Sequence, residues 1–316
     1  NALLDLVDAH AGGWPLFLAM HGGGGAPKEV NDDQWRIMQG YYLDQPEVGG
    51  YLYLALRAPT DDWNGFYTDY VYPLIENLVR QFLLFGDVDP DKVFAMGYSH
   101  GGYGAFAIGP KLPHRFAGVH ASAGAPTDGQ TAARNLRHTV FTYMIGEHDT
   151  MYGRLERCRR FDAEIRELRG DRVDVFPVTM EYQAGHGHGG LPDRGKIRTM
   201  YPAVRDPVTR ELTWLLTDGV VRDHFWLSIP EPGAARDVAA TCRDNVVTIE
   251  AHGIDRLTVW LDGRLVDLER PVTLNVGGRT EERSLAVDPR ALAESLLARG
   301  DPRLAFTARV DLDLTR

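Results

Sequence analysis

Ser99 lies in the run Gly97-Tyr98-Ser99-His100-Gly101, between the apolar stretch Val93-Phe94-Ala95-Met96 and a small-residue segment, Gly102 to Ile108. The stretch reads as a short buried strand and the segment as the opening of a helix. The serine then falls on a sharp strand-to-helix corner, the context of a nucleophile elbow. Glycine on both sides tolerates a strained backbone, and the helix points unsatisfied N–H groups and the positive end of its dipole at the hydroxyl. Such a corner could attack an acyl carbon. It would need three more parts: donors for the developing oxyanion, a base, and an acid that orients the base.

Upstream, the apolar run Leu16 to Met20 predicts a central strand that leads straight into His21-Gly22-Gly23-Gly24-Gly25. Four glycines after a strand can be a flexible loop and nothing more. Ahead of an elbow they also let backbone N–H groups approach a carbonyl oxygen, so Gly23 or Gly24 is a candidate donor beside the N–H of His100. Downstream, Val140 to Ile145 predicts a strand ending in Gly146-Glu147-His148-Asp149. In the chain order serine, acid, histidine, the acid falls here, and Asp149 is the choice. Glu147 and Asp162 are weaker substitutes, the second because it lies in the predicted helix Leu155 to Leu168. After a strand-like run, Val173 to Val178, comes Glu181 to Gly190, which carries His186 and His188 among glycines. Either could be the base; His188 is preferred and His186 is the alternative. A His-x-His pair could hold a metal, but without carboxylates beside it the ligand set is incomplete, and neither metal nor cofactor is expected.

The elements that must position these residues alternate along the chain. Asn31 to Tyr42 has helical spacing after an Asn31 cap, and Tyr51 to Leu56 reads as a strand. The loop Arg57 to Phe66 follows, at the edge where open α/β sheets bind ligands. Trp63, Asn64 and Phe66 there are candidates for a substrate pocket, with loop packing as the plain alternative. Asp69 to Phe85 makes an amphipathic helix, Val88 to Asp91 a turn, and Gly109-Pro110 ends the elbow helix; Phe116 to Ser122 is another strand. Ala2 to Ala11 is a short amphipathic segment. The pattern predicts the α/β class, a mainly parallel sheet covered by helices on both faces. From Phe225 it changes to short alternating strands: Val246 to Ala251, Arg256 to Leu261, Arg264 to Leu268 and Val272 to Val276. Asp262-Gly263 and Asn275 to Gly278 carry turn signals, and a helix, Pro289 to Ala298, and a strand, Leu304 to Leu312, complete a β-rich module. Two domains are expected, 1–224 and 225–316.

A formal net charge of -10 argues against a nucleic-acid partner. The basic residues Arg154, Arg157, Arg159 and Arg160 alternate with acidic ones and read as a solvated helix face. No stretch approaches the roughly 18 consecutive apolar residues of a membrane span, so the expectation is a soluble protein. The two cysteines, Cys158 and Cys242, are too few for a disulfide scaffold and leave one bridge open. The chain starts at Asn1 with no charged or apolar leader pattern after it, which suggests a processed or trimmed chain.

The elbow Gly97 to Ala105, the His21 to Gly25 loop, Asp149 after its strand and the Gly-x-Gly-His at Gly185 to His188 together resemble the α/β-hydrolase superfamily. Within it they are most similar to the carboxylesterase, feruloyl-esterase and polyhydroxyalkanoate-depolymerase-like group. The likeness covers roughly residues 14 to 200, and the ordered combination is more specific than any single motif. It implies a Ser99, Asp149, His188 triad, an oxyanion hole from the His100 N–H and the glycine loop, and cleavage of a small-molecule or polymeric ester through an acyl-enzyme, with no cofactor. The preference for His188 rests partly on the Gly-x-Gly-His pattern of that group. A peptidase or polyester depolymerase with the same triad, or a non-catalytic binding module on the same fold, stay open as alternatives. Two departures stand out. The superfamily usually has a β-hairpin ahead of the strand that leads to the oxyanion loop, and only thirteen residues precede Trp14. His100 stands where many relatives carry Met or Gln; its side chain is expected to pack under the loop, with a part in leaving-group recognition as the alternative. The C-terminal module resembles the extension of some bacterial secreted-type esterases, which tilts location toward export. Sheet-edge covering or homo-oligomer assembly is its expected role.

Overall fold

The run Trp14–Met20 (β1) is apolar on both faces, and from Pro15 onward every residue is buried, as a central parallel strand requires. The computed structural model describes residues 12–315; the amphipathic segment expected over Ala2 to Ala11 lies outside them. Helix α1 (Lys28–Tyr41), strand β2 (Leu52–Leu56), helix α2 (Val71–Phe85), strand β3 (Val88–Tyr98) and helix α3 (His100–Lys111) follow in order. Strands β4 (Gly118–Ser122) and β5 (Val140–Gly146), helix α4 (Arg154–Arg169), strand β6 (Val178–Gln183) and the short helix α5 (Lys196–Met200) complete this part. The six strands form one parallel sheet in the order β2-β1-β3-β4-β5-β6.

Alternation along the strands divides the core. Phe17 and Ala19 of β1 join Phe94 and Met96 of β3 under Met38 of α1 and Ile197 and Met200 of α5, with Phe17 stacked on Phe94 at 4.4 Å. On the opposite face Phe106 of α3 packs its ring on Phe141 and Tyr143 of β5 and on Phe161 of α4, at 5.1 to 5.5 Å. Helices therefore cover both faces, as the alternation of elements predicts.

Several boundaries differ from expectation, each for a local reason. Helix α1 begins at Lys28 after Pro27, so Asn31 lies inside it, buried, and is not its cap. Pro110 sits within α3 and does not end it: Phe106 O, which a Pro110 N–H would have met, accepts from Thr131 Oγ1 at 2.9 Å. Val88 to Asp91 belongs to β3, with a register shift against β1 in place of a turn. Of the run expected as a strand over Val173 to Val178, residues 173–177 are loop: Val173 is 99% exposed, Phe176 has φ of 51°, and the strand starts only at Val178.

The chain divides into two compact units, the first ending at Arg205 and the second starting at Asp206. In the second, β7 (Glu211–Leu216), β8 (Asp223–His224), β9 (Leu227–Ser228), β10 (Arg236–Arg243), β11 (Val246–His252), β12 (Arg256–Leu261), β13 (Val272–Val276), β14 (Arg279–Arg283), helix α6 (Pro289–Arg299) and β15 (Ala308–Asp313) build two sheets. Their orders are β14-β13-β11-β10-β7 and β15-β12-β9-β8, and both contribute to one apolar core around Trp214 and Trp226. The division falls ahead of residue 225 because Glu211–Leu216 pairs with β10. Arg264 to Leu268 is a turn, not a strand, since Asp262 O accepts the N–H groups of Leu265 and Val266 and its carboxylate takes the Arg264 N–H. The last strand begins at Ala308; Leu304 closes a short 3₁₀ turn. The Gly277-Gly278 turn, both residues at positive φ, joins β13 to β14 as a two-residue hairpin.

One buried ion pair ties the start of β3 to the end of the first unit. Arg205 directs Nε and Nη2 to Asp91 Oδ1 at 3.1 and 2.9 Å and Nη1 to His114 O at 2.5 Å. Removing the carboxylate from beside an enclosed guanidinium is costly. Asp91→Ala should lower unfolding free energy by about 3 kcal/mol in urea titration, and a change within experimental error would show the pair to be dispensable.

Candidate active site

All the strand ends that matter point the same way. Because the sheet is wholly parallel, the loops after β1, β2, β3, β5 and β6 gather at one carboxyl edge. A sharp corner forms there because β3 hands directly to α3 through Ser99, whose φ of 55° and ψ of -110° are unusual for a residue with a side chain. Its neighbours must be glycine: a Cβ on Gly97 would meet Gly101 O at 2.1 Å, and one on Gly101 would meet Met20 O at 2.2 Å. The corner is fastened by Ser99 N–H donating to Ser122 O at 2.8 Å and Tyr103 N–H to Ser99 O at 3.0 Å.

Ser99 Oγ lies 2.9 Å from His188 Nε2, and His188 Nδ1 lies 2.8 Å from Asp149 Oδ2. The carboxylate accepts from Nδ1–H, which leaves Nε2 free to accept from the serine hydroxyl. Asp149 is buried, and its other oxygen takes a hydrogen bond from Arg154 Nη1 at 2.8 Å. His186 stands apart: its Nδ1 faces Ala184 O at 3.0 Å, and its carbonyl accepts the His148 N–H at 2.8 Å. Glu147 takes the Gly185 N–H at 2.7 Å, and Asp162 pairs with Arg166, so neither weaker acid reaches the histidine row.

In the glycine loop Gly23 and Gly24 take φ of 100° and 78°. Gly24 donates its N–H to Asn31 Oδ1 at 2.7 Å, so of the two candidate donors it is already engaged. Gly23 makes no such bond among the described residues, and the N–H of His100 opens α3, where helical partners are lacking. His21 staples the loop: its Nε2 accepts the Ala58 N–H at 3.0 Å, which places the ring proton on Nδ1 toward Gly22 O. The His100 side chain does pack under the loop, tight enough that a Cβ on Gly24 would lie 2.5 Å from its ring. Phe66 is 1% exposed with its ring against His21 and His100, so it is floor and not pocket wall. Asn64 is exposed and caps a turn through its carbonyl. Trp63 alone of that trio lines a cleft of about 370 Å³, with Tyr67, Tyr103, Thr127, Tyr152 and Arg157.

Sequence reasoning missed the residues that hold the histidine loop. Tyr98 OH donates to His188 O at 2.7 Å. Asp193, fully buried, accepts from Tyr41 OH at 2.8 Å and Tyr42 OH at 2.9 Å, one on each carboxylate oxygen. Burial and the Asp193 charge raise both tyrosines, and burial with the same charge pushes Tyr98 up to about 12. All three hydroxyls therefore stay donors at neutral pH. Arg154 and Arg157 also leave the solvated face on which the alternating charges had put them: Arg154 is buried on Asp149 and Arg157 is half-buried in the cleft wall. Cys158 and Cys242 are both free and buried. Among the described residues no helix is long and apolar enough to cross a membrane, and no group of three His, Cys, Asp or Glu side chains is placed to hold a metal ion.

No family model and no curated protein matches the chain. Among solved structures, it is similar to a thermostable esterase, at 19% identity and a TM-score of 0.47 over 61% of this chain and 55% of that one. It is also similar to a phospholipase/carboxylesterase from Dyadobacter fermentans (14%, TM-score 0.43, 60% of this chain and 90% of that one). SOBER1 of Arabidopsis thaliana is a third (18%, TM-score 0.41, 59% and 96%). The chain thus spans about half the length of the first of these. Its own first unit has the α/β-hydrolase architecture expected above, a parallel sheet with helices on both faces and a strand-to-helix corner at the edge of its centre.

The enclosure of His100 has a consequence for acid stability. Burial, then the nearby His21, push His100 down to about 4, and burial lowers His21 as well. Between the ordinary value of 6.5 and about 4, the unfolded chain binds a proton that the native state refuses. Stability from this site is therefore full above 6.5 and falls as pH drops. His100→Leu should remove about 2 kcal/mol of the stability lost between about pH 7 and pH 5, read by urea unfolding at both values; His21 keeps part of the slope. An unchanged difference would mean that His100 titrates normally.

Proposed function

We propose that the protein is a serine hydrolase that cleaves carboxylic esters through an acyl-enzyme. The single observation carrying this reading is the hydrogen-bonded row Ser99, His188, Asp149, set on a strained strand-to-helix corner. Ser99 Oγ attacks the acyl carbon while His188 Nε2 takes its proton, and Asp149 holds the imidazole and balances the charge that it gains. The carbonyl oxygen becomes an oxyanion that accepts from the N–H groups of His100 and Gly23. Collapse expels the alcohol, which receives the proton from His188. Water, deprotonated by the same histidine, then attacks the acyl group and releases Ser99.

The reading needs backbone donors and three side chains only. Peptide or polyester cleavage would use the same parts, but no feature of the site favours either.

Ser99→Ala should abolish both ester turnover and labelling by a fluorophosphonate probe; intact folded protein that is neither labelled nor active on short p-nitrophenyl esters would end the proposal. His188→Ala should cost about a thousandfold or more in kcat, while His186→Ala keeps most of the activity, and the reverse outcome would move the base to His186. Asp193 is a positioning residue on this reading. Asp193→Ala should lower kcat roughly tenfold or more, as misplacement of a reacting group does, with KM little changed; equal loss in both would assign it to general structure.

A further inference from the structure

The cleft beside the elbow has a composition that the acyl-transfer machinery does not use. Trp63 packs against Tyr103 at 5.4 Å and Tyr152 at 5.3 Å, both rings tilted by more than 50° to it, and the three rings line one slot. Its volume, about 370 Å³, is at the lower end of ligand pockets. The slot adjoins the proposed reaction centre on two sides. Trp63 lies 6.3 Å from the His100 ring and against Gly25 of the glycine loop. Tyr103 is one turn into α3 from Ser99, and its hydroxyl accepts from the Nε of Arg154, the residue that also holds Asp149.

Two buried polar atoms of the wall residues, Thr127 Oγ1 and Arg157 Nε, lack a hydrogen-bond partner, while the Arg157 guanidinium lies 6.0 Å from the Tyr103 ring. The Arg157 guanidinium donates through Nη2 to Pro126 O, and the carboxylate nearest to it, Asp128, is 3.7 Å away and fully exposed. Arg154, the other cation here, is already paired with Asp149 at 2.8 Å. The slot therefore combines aromatic walls with one cation whose counter-charge is held loosely in solvent, a setting in which a guanidinium favours a carboxylate ligand.

We infer that the slot binds the aromatic part of an ester substrate and that Arg157, aided by Thr127, selects for a carboxylate borne by that ring. This rests on the hydrolase reading and names its substrate class. Either side of the ester can carry the ring, so two matched pairs are needed. One is 4-acetoxybenzoate against 4-acetoxybenzamide; the other is methyl 3-(4-carboxyphenyl)propanoate against its carbamoyl counterpart.

In the wild-type protein the carboxylate member of at least one pair should show kcat/KM about tenfold or more above its neutral partner, the scale of one charged hydrogen bond. Arg157→Gln should bring that ratio near unity, Arg157→Lys should keep part of it, and Trp63→Ala should lower kcat/KM for both members. Ratios near unity in both wild-type pairs, or a ratio that Arg157→Gln does not move, would overturn the inference. Protein that is labelled by fluorophosphonate yet cleaves none of the four esters overturns the slot assignment alone. Protein that is neither labelled nor active overturns the hydrolase reading with it.

Discussion

The site depends on a backbone contact that no side chain can enter. Three segments, the end of β1 at Met20, the end of β3 at Gly97 and the start of α3 at Gly101, approach so closely that a methyl group on either glycine would overlap a carbonyl oxygen at 2.1 to 2.2 Å. That approach lets Gly101 N–H reach His21 O at 2.9 Å, so the glycine loop and the elbow are joined directly. It also holds the strained angles of Ser99 beside the glycine loop, because strain persists only where the surroundings over-determine it.

What over-determines it is polar as well as apolar. His21 links the glycine loop to Ala58, Asn31 links it to α1, and Phe66 and His100 fill the space beneath. On the other side Tyr98, the residue before Ser99, grips the carbonyl of His188, whose ring meets the Ser99 hydroxyl. The Tyr41 and Tyr42 pair grips the same loop further on, at Asp193. A flexible glycine-rich segment, Gly185 to Gly190, is thereby pinned at two points, which limits the freedom that its composition would give.

Much of this was legible in the sequence because local rules and tertiary demand agree there. The strand-to-helix corner at Ser99 is marked by its own glycine spacing, and Asp149 follows a strand whose apolar run is plain. The alternation of those runs also suffices for a parallel sheet with both faces covered. Legibility fails where a distant partner decides. Asn31 has the residue type of a cap, yet its carboxamide serves Gly24 and Ala26 from inside a helix. Pro110 has the type of a helix breaker, yet Thr131, remote in sequence, supplies the donor that it lacks. Asp193 follows no periodicity, and its two tyrosine partners lie more than 150 positions away, so nothing local marks it. His186 and His188 stand among the same glycines, and only the distances show that His188 is the one beside Ser99.

Arg154 joins the two halves of the site. One guanidinium nitrogen fixes Asp149, which fixes His188, and another donates to the Tyr103 hydroxyl in the cleft wall. Its charged face also lies 5.0 Å from the Tyr152 ring. A buried guanidinium is expensive unless nearly all its donors are used, and here the uses run in two directions, toward the relay and toward the cleft. A rigid planar fork cannot tilt to improve one set of contacts without disturbing the other. The position of the Asp149 carboxylate behind His188 and that of the Tyr103 ring in the cleft wall are thus held by the same group.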